Sequence, residues 1–303
     1  MRPEISGQFL LLTINFTILK ITQTRSKAAN DSAYSALNTI SQKLKYIHTL
    51  FLKAGIIKST SFKYISITMT LIDTLQSEVD KILGIDWQLR DANVIPASEE
   101  IELADGAFKI EATFLYADLA DVSMLAEKCS WETSAKIIRA YLDISVRLIL
   151  AHEGLVRSAG GHSVMGIFSG ETPNTSAVNC ARKIDWMVEK VLNPKAYMAF
   201  PSIRNNKLTI RHCIGIDTSD AWAVRSGVGN NNNLIWIGRA PEFAAQLAGI
   251  GKYPYSVYTS RDCFARLADI ARKTGEANIW FENRIKFGDE THTVYRTNGM
   301  LRP

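Results

Sequence analysis

The stretch RSAGGHSVMGIF, residues 157–168, decides the fold of this 303-residue chain. Gly160 and Gly161 give the backbone the freedom that a tight turn requires, and the apolar residues that follow, up to Phe168, are typical of a buried strand. The stretch therefore predicts a β-hairpin with His162 at its bend. A histidine at such a bend is either an ordinary loop residue or a ligand, and both interpretations stay open on these residues alone.

The segments on either side of the hairpin predict further strands and helices. The apolar run from Ala112 to Leu119 predicts a buried central strand, and a long helix is predicted between a capping Ser130 and a terminating Gly154. Another helix, a half-buried strand in residues 207–217 and a later strand pair follow the hairpin. This order predicts an α+β fold in which helices cover one face of a mostly antiparallel sheet.

The composition is that of an ordinary globular protein, with 47% apolar and 21% charged residues. The four cysteines, which are Cys129, Cys180, Cys213 and Cys263, lie far apart and form no C-x-x-C pair. This spacing argues against a zinc knuckle and against a disulfide framework. The expected compartment is therefore the reducing cytoplasm.

Charge is distributed unevenly along the chain and suggests two parts. Residues 1–68 hold nine Lys or Arg and two acids, a net charge of +7, so the total of +5 leaves −2 for residues 69–303. We expect residues 1–68 to be a basic, partly helical appendage and residues 69–303 to form the main domain, which is not a basic nucleic-acid binder. The apolar run from Phe9 to Leu19 is too short to span a bilayer, which takes about 20 residues, so no membrane span is predicted.

Three separated segments carry a resemblance to a known family. The segments are ATFLYADLADVSMLAEKCS (112–130), EGLVRSAGGHSVMGIFSG (153–170) and LIWIGRAPEFAAQL (234–247). In their order and spacing they resemble the class III nucleotide cyclases, and they look closest to the bacterial Pycsar pyrimidine cyclases. The resemblance covers about residues 85–303 and implies a ferredoxin-like cyclase core. It further implies conversion of UTP or CTP to cyclic UMP or cyclic CMP in anti-phage defence, with a separate effector protein that senses the product.

The implied reaction sets clear chemical demands. The ribose 3′-hydroxyl attacks the α-phosphorus in line while pyrophosphate leaves, and two divalent cations about 4 Å apart hold the attacking and leaving oxygens. Mg²⁺ or Mn²⁺ is the expected cofactor, and hard cations prefer carboxylate oxygens. In the family, two aspartates on adjacent strands hold both cations, and the triphosphate lies against backbone N–H groups after the first aspartate.

The resemblance assigns residues to the metal site and to the triphosphate. Asp118 matches the first metal aspartate, whereas His162 stands at the position of the second. An imidazole binds manganese or zinc but is a poor magnesium ligand, and it brings no negative charge. The resemblance therefore implies an incomplete two-metal site. The backbone residues implied to cradle the triphosphate run from Leu119 to Met124 and include Leu119, Ala120, Asp121, Val122 and Ser123.

The third segment brings two more departures from the family. Glu242 stands where the family has an Asn, and Gln246 stands where it has an Arg or Lys; in the family both come from the partner subunit and stabilise the transition state. The resemblance thus implies a homodimer whose transition-state contacts are altered, and each lost contact of this kind lowers the rate about a hundredfold. Arg157 and Arg239 are further candidates for phosphate binding, although Arg239 is equally interpreted as an ion-pair partner of surface acids.

These residues leave three hypotheses for function. The first is an active pyrimidine cyclase with altered metal preference, which uses Asp118 and His162 with manganese. The second is a pseudo-cyclase that keeps the fold and the dimer and serves as a nucleotide-binding or regulatory module. The third is a polymerase-palm relative such as a dinucleotide cyclase, which is disfavoured because the sequence contains no GGDEF-like hairpin.

Overall fold

The computed structural model describes residues 60–226 and 233–303, with side chains from residue 71 onward. The chain divides into two compact units, Met1–Gly84 and Ile85–Pro303. Most of the predicted appendage lies outside the described residues. The predicted boundary after residue 68 falls inside a helix that runs from Thr60 to Leu83, and the division into domains stays a prediction.

The elements of the described chain follow the predicted order in part. The strand predicted in residues 207–217 and the first strand of the later pair are one continuous strand, which begins at His212. The helices are α1 Thr60–Leu83, α2 Val122–Lys128, α3 Trp131–Ala151, α4 Pro173–Met187, α5 Asn193–Ala199, α6 Pro201–Asn205, α7 Arg239–Ala248, α8 Arg261–Ala265 and α9 Asp269–Arg272, with a 3₁₀ turn at Ser98–Glu100 and a π turn at Val188–Leu192. The strands are β1 Gln88–Asp91, β2 Gly106–Leu119, β3 Leu155–Gly160, β4 Ser163–Phe168, β5 His212–Arg225, β6 Leu234–Ile237, β7 Val257–Ser260, β8 Lys273–Thr274, β9 Ala277–Asn278, β10 Phe281–Phe287 and β11 Glu290–Thr297.

One mixed sheet forms the centre of the described unit. Its strands follow the order β10-β11-β7-β5-β2-β4-β3, while β1 pairs with β2 and β6 pairs with β5. The pairs β1–β2 and β5–β7 are parallel and the other neighbours are antiparallel. The predicted α+β class with a mostly antiparallel sheet is therefore confirmed. The predicted central strand is β2, although it begins at Gly106, six residues earlier than the apolar run suggests.

The two faces of β2 pack against different helices because successive side chains of a strand point in opposite directions. Leu115, Ala117 and Leu119 are buried in the main core with residues of α3 and α4. Phe114, on the other face, belongs to a second cluster with alanines of α7. Most helices thus cover one face, as predicted, and α7 covers the opposite one.

Gly215 on β5 allows α7 to approach the sheet closely. A Cβ atom at this position would lie 2.0 Å from the carbonyl oxygen of Ala244 and 2.5 Å from the backbone nitrogen of Ala248. The helix backbone therefore occupies the space that a side chain would take. This close contact fixes the position of α7, which carries Glu242 and Gln246.

The hairpin and the long helix also agree with the prediction from sequence. β3 and β4 pair in an antiparallel manner, and Gly161 adopts a φ of 61° at the bend. The Ser130 side chain accepts a hydrogen bond from the backbone N–H of Thr133, which caps α3. None of the helices in residues 60–226 and 233–303 combines the length and the hydropathy that a membrane span needs.

Candidate active site

Asp118 and His162 lie side by side at one edge of the sheet. Asp118 is the penultimate residue of β2 and pairs with Ser163 on β4, so the bend of the hairpin comes next to it. The Nε2 atom of His162 lies 3.4 Å from the Oδ1 atom of Asp118. The structure thus brings together the two residues that the resemblance assigns to the metal positions.

The Asp118 carboxyl group occupies a half-buried environment with little hydrogen bonding. Its Oδ1 atom is buried and, within the described residues, makes no hydrogen bond. Burial raises the pKa of Asp118 above its ordinary value, and the nearby His162 opposes part of that rise. Asp118 thus presents a carboxylate oxygen without a hydrogen bond beside the imidazole nitrogen of His162.

The backbone after Asp118 forms a tight turn into α2. The N–H of Leu119 donates to the carbonyl of His162 at 3.0 Å, and the N–H of Ala120 donates to the carbonyl of Arg211 at 2.9 Å. Asp121 adopts the left-handed conformation with a φ of 55° and precedes the helix. The amides of Leu119 and Ala120, both predicted to cradle the triphosphate, are therefore already engaged within the chain.

Two members of the predicted cradle keep the geometry of a helix start. Val122 is the first residue of α2, and Ser123 follows it. The first N–H groups of a helix have no intrahelical acceptor and point away from its first turn. Asp121 comes just before them as the N-cap residue, and its side chain makes no capping hydrogen bond there. The part of the cradle that remains open in the structure is thus Asp121 to Ser123.

Glu242 and Gln246 lie one turn apart on α7 and contact each other. The Nε2 atom of Gln246 donates a hydrogen bond of 2.9 Å to the Oε1 atom of Glu242. Glu242 also lies close enough to Tyr116 to act on it, since burial and then the charge of Glu242 raise the pKa of the tyrosine hydroxyl. The sequence motifs did not single out Tyr116, although its position two residues before Asp118 places it on the same face of β2.

Arg239 is engaged by acids of its own chain. Its Nη2 atom donates to the Oδ2 atom of Asp262 at 2.8 Å and to the carbonyl of Thr218 at 3.0 Å, and it lies 3.5 Å from the Oδ1 atom of Asp217. Of the two roles considered for Arg239, the structure contains the ion pair. The proposed phosphate contact would compete with these three acceptors.

Asp217 is the residue of this cluster that sequence reasoning missed. It is fully buried, and neither of its carboxylate oxygens makes a hydrogen bond within the described residues. Burial raises its pKa, while the nearby Ser260 hydroxyl and the charge of Arg239 lower it. Asp217 lies within β5 and Arg239 begins α7, with β6 between them in sequence. Their contact therefore depends on the chain folding back, and no local pattern in the sequence indicates it.

Arg157 is likewise engaged within the chain. Its Nη2 atom donates to the carbonyl of Pro96 at 2.8 Å. Its guanidinium is partly buried, and burial lowers its pKa while the charge of Glu99 raises it. The role of Arg157 in nucleotide binding stays a prediction.

The donors that Asp118 and His162 bring to the site are few. No group of three or more His, Cys, Asp or Glu in the described part of the chain is arranged to hold a metal. The site offers one carboxylate oxygen and one imidazole nitrogen, 3.4 Å apart. A pair of Mg²⁺ ions requires more oxygen ligands than this pair offers.

Comparison with known proteins supplies independent information. No protein-family model matches the chain. A uridylate cyclase of Rhodovulum sp. (strain MB263) is 33% identical over 237 residues, which are 78% of this chain and 99% of the relative. A uridylate cyclase of Xanthomonas perforans is 30% identical over 236 residues, which are 77% of this chain and 99% of the relative.

Solved structures extend the comparison to the fold. The crystal structure of the guanylyl cyclase Cya2 matches with a TM-score of 0.53 and 16% sequence identity, and the match covers 64% of this chain and 95% of that chain. An adenylyl cyclase, CyaB from P. aeruginosa, matches with a TM-score of 0.51 and 17% identity over 63% of this chain and 95% of that chain. At such identities the likeness concerns the fold, and it confirms the predicted cyclase-like core.

Proposed function

The chain belongs to the uridylate cyclase family, and we propose that it cyclises UTP or CTP to the corresponding cyclic mononucleotide, with release of pyrophosphate. The observation that carries the proposal is the contact between Asp118 and His162, whose Oδ1 and Nε2 atoms lie 3.4 Å apart. Two strands distant in sequence thereby bring one carboxylate and one imidazole to the edge of the sheet that the resemblance implies for the metal site. The proposal includes Mn²⁺ as the favoured cation.

The residues of this chain have separate tasks in the proposed reaction. The 3′-oxygen forms a bond to the α-phosphorus, the bond from that phosphorus to the bridging oxygen breaks, and the hydroxyl proton is released to water. Asp118 and His162 hold the cation, which when bound supplies electrostatic stabilisation to the phosphoryl oxygens. Asp121, Val122 and Ser123 bind the triphosphate through the start of α2.

We further propose that the protein acts as a homodimer. Trp222 on β5 and Ile235 and Ile237 on β6 are between 36% and 51% exposed. Trp222 pairs with Ile237, and Ile235 stands two residues along β6, so these three side chains share one face of the sheet. A cluster of exposed apolar side chains on a sheet extension favours contact with a second subunit. Glu242 and Gln246 of one subunit would then face the nucleotide bound by the other.

The biological setting is part of the same proposal and is drawn from the family resemblance. We assign the reaction to bacterial anti-phage defence, in the cytoplasm, with a separate effector protein that senses the cyclic nucleotide. The product is a small diffusible monoanion, so a sensor with a cationic pocket is the chemical counterpart that it requires.

A second candidate function is a nucleotide-binding pseudo-cyclase. The observation that favours it is the hydrogen bond of 2.9 Å from Gln246 to Glu242. The carboxylate of Glu242 would repel a nearby triphosphate. The amide of Gln246, which stands where the family has an Arg or Lys, is hydrogen-bonded to that carboxylate. Such a protein would bind the nucleotide and dimerise without appreciable turnover.

Product analysis distinguishes the two candidates. Purified protein is incubated with each of the four nucleoside triphosphates and either Mg²⁺ or Mn²⁺, and cyclic mononucleotides are measured by mass spectrometry. The cyclase predicts product from UTP or CTP that disappears in Asp118→Ala and persists in Asp220→Ala, a matched control in which an exposed surface acid is removed. Absence of product under every condition, together with nucleotide binding by calorimetry, supports the pseudo-cyclase. Absence of both product and nucleotide binding contradicts both.

A further inference from the structure

We propose that a pocket on the helix-covered side of the sheet, next to the turn after Asp118, binds a small zwitterion of the chemical class of a free amino acid. The pocket has a volume of about 230 Å³. Its walls come from the end of α4 and the π turn, from the start of β5, from the loop that precedes β7, from Ala120 after β2, and from Asn298 and Met300 after β11. This volume suits a ligand of about ten non-hydrogen atoms and is below the size usual for drug-like ligands.

The pocket is separate from the Asp118 and His162 pair. His212, which lines it, is the partner of Leu119 in the sheet, and Leu119 points into the helix-covered core. Asp118 points to the other face, because neighbouring residues of a strand alternate. The pocket and the Asp118–His162 pair therefore lie on opposite faces of β2, while Ala120, in the turn that follows Asp118, also lines the pocket.

Three buried polar side chains contribute to the lining. The Oδ1 atom of Asp185 lies 3.0 Å from the Nε2 atom of His212 and accepts a hydrogen bond of 2.6 Å from the Oγ atom of Ser256. Each of these residues is at least nine-tenths buried. Polar groups held in place by one another and buried at a pocket wall form a preorganised surface for a polar ligand.

Two cations of the pocket lack acidic partners. Arg211 stacks over the ring of Tyr253, with 5.4 Å between the guanidinium carbon and the ring centroid. Neither Arg211 nor Lys190 forms an ion pair within the usual distance in the part of the chain that the structure describes. A guanidinium fixed on an aromatic ring with its donors free suits a carboxylate, which it binds through two parallel hydrogen bonds.

Two carboxyl groups line the same pocket and limit the charge that its ligand can carry. Asp185 and Glu189 both belong to the wall, and burial, with the charge of Asp185 next, raises the pKa of Glu189. A purely anionic ligand such as phosphate would be repelled by these acids, and a purely cationic ligand would leave Arg211 without a partner. A zwitterion provides a partner for the acids and for the arginine, with its carboxylate at Arg211 and its ammonium group at Asp185 and Glu189.

Binding measurements test this inference without reference to catalysis. Each of the twenty amino acids is titrated into the full-length protein by calorimetry, with phosphate, acetate and methylammonium as single-charge probes. We expect saturable binding of at least one amino acid at concentrations below about 10 mM, and weaker or no binding of the three probes. Binding of phosphate or acetate as tightly as any amino acid overturns the zwitterion, and so does the absence of binding by all twenty.

Substitutions locate the ligand. Arg211→Ala is expected to weaken the binding at least about tenfold, because a charge-assisted pair of hydrogen bonds is lost. Arg261→Ala, which removes an exposed arginine on α8, is the matched control and should leave the affinity unchanged. Equal affinity of the wild type and Arg211→Ala overturns the site. Arg211 is exposed, so its replacement does not open the core, and the melting temperature of each variant verifies folding.

Discussion

The amide of Gln246 donates a hydrogen bond of 2.9 Å to the carboxylate of Glu242, one helical turn away. The two side chains that the resemblance assigns to the transition state therefore satisfy each other. In the proposed reaction, a cation at position 246 would face developing negative charge, and an amide at position 242 would remove a repulsive carboxylate.

The first prediction concerns this pair. The double variant Glu242→Asn with Gln246→Arg is expected to raise the rate of cyclic nucleotide formation by at least about a hundredfold, since contacts that stabilise developing charge contribute on that scale. The rate is measured by mass spectrometry under saturating nucleotide and Mn²⁺. A rate equal to that of the wild type would show that α7 does not face the reacting nucleotide.

The second prediction concerns metal preference. His162→Asp is expected to shift activity from Mn²⁺ towards Mg²⁺, because a second carboxylate supplies the oxygen ligands that a hard cation prefers. The ratio of Mg²⁺-supported to Mn²⁺-supported rate should rise at least about tenfold, by the ligand preferences of these ions. His152→Asp, in the turn that ends α3, serves as the control. An unchanged ratio in His162→Asp would remove this residue from the metal site.

The third prediction concerns Asp217. Burial raises the pKa of Asp217 in the folded protein, so the folded state binds a proton more tightly there than the unfolded state does. The contribution of this group to stability is thus complete below the unfolded pKa and is lost as the pH rises through the folded pKa. Relative to Asp217→Asn, the wild type should gain unfolding free energy as the pH falls from 7.5 to about 4, by about 1.4 kcal/mol for each unit of pKa difference.

Urea unfolding curves at several pH values provide the measurement. The difference in unfolding free energy between the two proteins is plotted against pH, which removes the contribution of all other titrating groups. A difference that does not vary with pH would mean that Asp217 has the same pKa in the folded and unfolded chains.

The fourth prediction concerns Arg239. Its replacement in Arg239→Met leaves the buried Asp217 carboxylate without its cation, so the unfolding free energy at pH 7.5 should fall by about 1 to 3 kcal/mol. The loss lies below that of a fully buried pair because the side chain of Arg239 is 47% exposed. The loss should be smaller at a lower pH, because burial raises the pKa of Asp217 and its protonation removes the unpaired charge. Arg284→Met, on the exposed strand β10, should have little effect at either pH.

The fifth prediction concerns the close packing of α7 against β5. Gly215→Ala places a Cβ atom 2.0 Å from the carbonyl oxygen of Ala244, so the helix must move away from β5. The expected loss of unfolding free energy is about 3 kcal/mol, at the upper end for overpacking. Gly249→Ala, where the closest atom lies 3.4 Å away, is the control. Equal stability of the two variants would mean that α7 shifts at little cost.

Local patterns in the sequence predict much of this fold. Ser130 marks the start of α3, and the apolar run that ends at Leu119 marks the end of β2. The hairpin at Gly161 follows from its turn residues. Each of these features depends on residues that are close together in the sequence, so a local sequence pattern predicts it.

Contacts between distant segments explain what the sequence did not predict. Arg239 contacts Asp217 and Asp262 only after α7, β5 and α8 have packed together. The amide of Ala120, just after β2, likewise reaches the carbonyl of Arg211, just before β5. Neither the charge pattern nor the hydrophobic periodicity of the sequence predicts these contacts. The assignment of Asp118 and His162 to one location depended on family resemblance, because their adjacency arises from the register of β2 with β4.

The hydrogen bond from the N–H of Leu119 to the carbonyl of His162 joins the hairpin to the central strand through main-chain atoms alone. Any residue except proline at position 119, and any residue at all at position 162, preserves it. The main-chain hydrogen bond therefore sets the position of the residue at the bend, whatever chemical group its side chain carries. A lineage could exchange carboxylate for imidazole at this bend, and back again, in single steps that each leave the architecture intact.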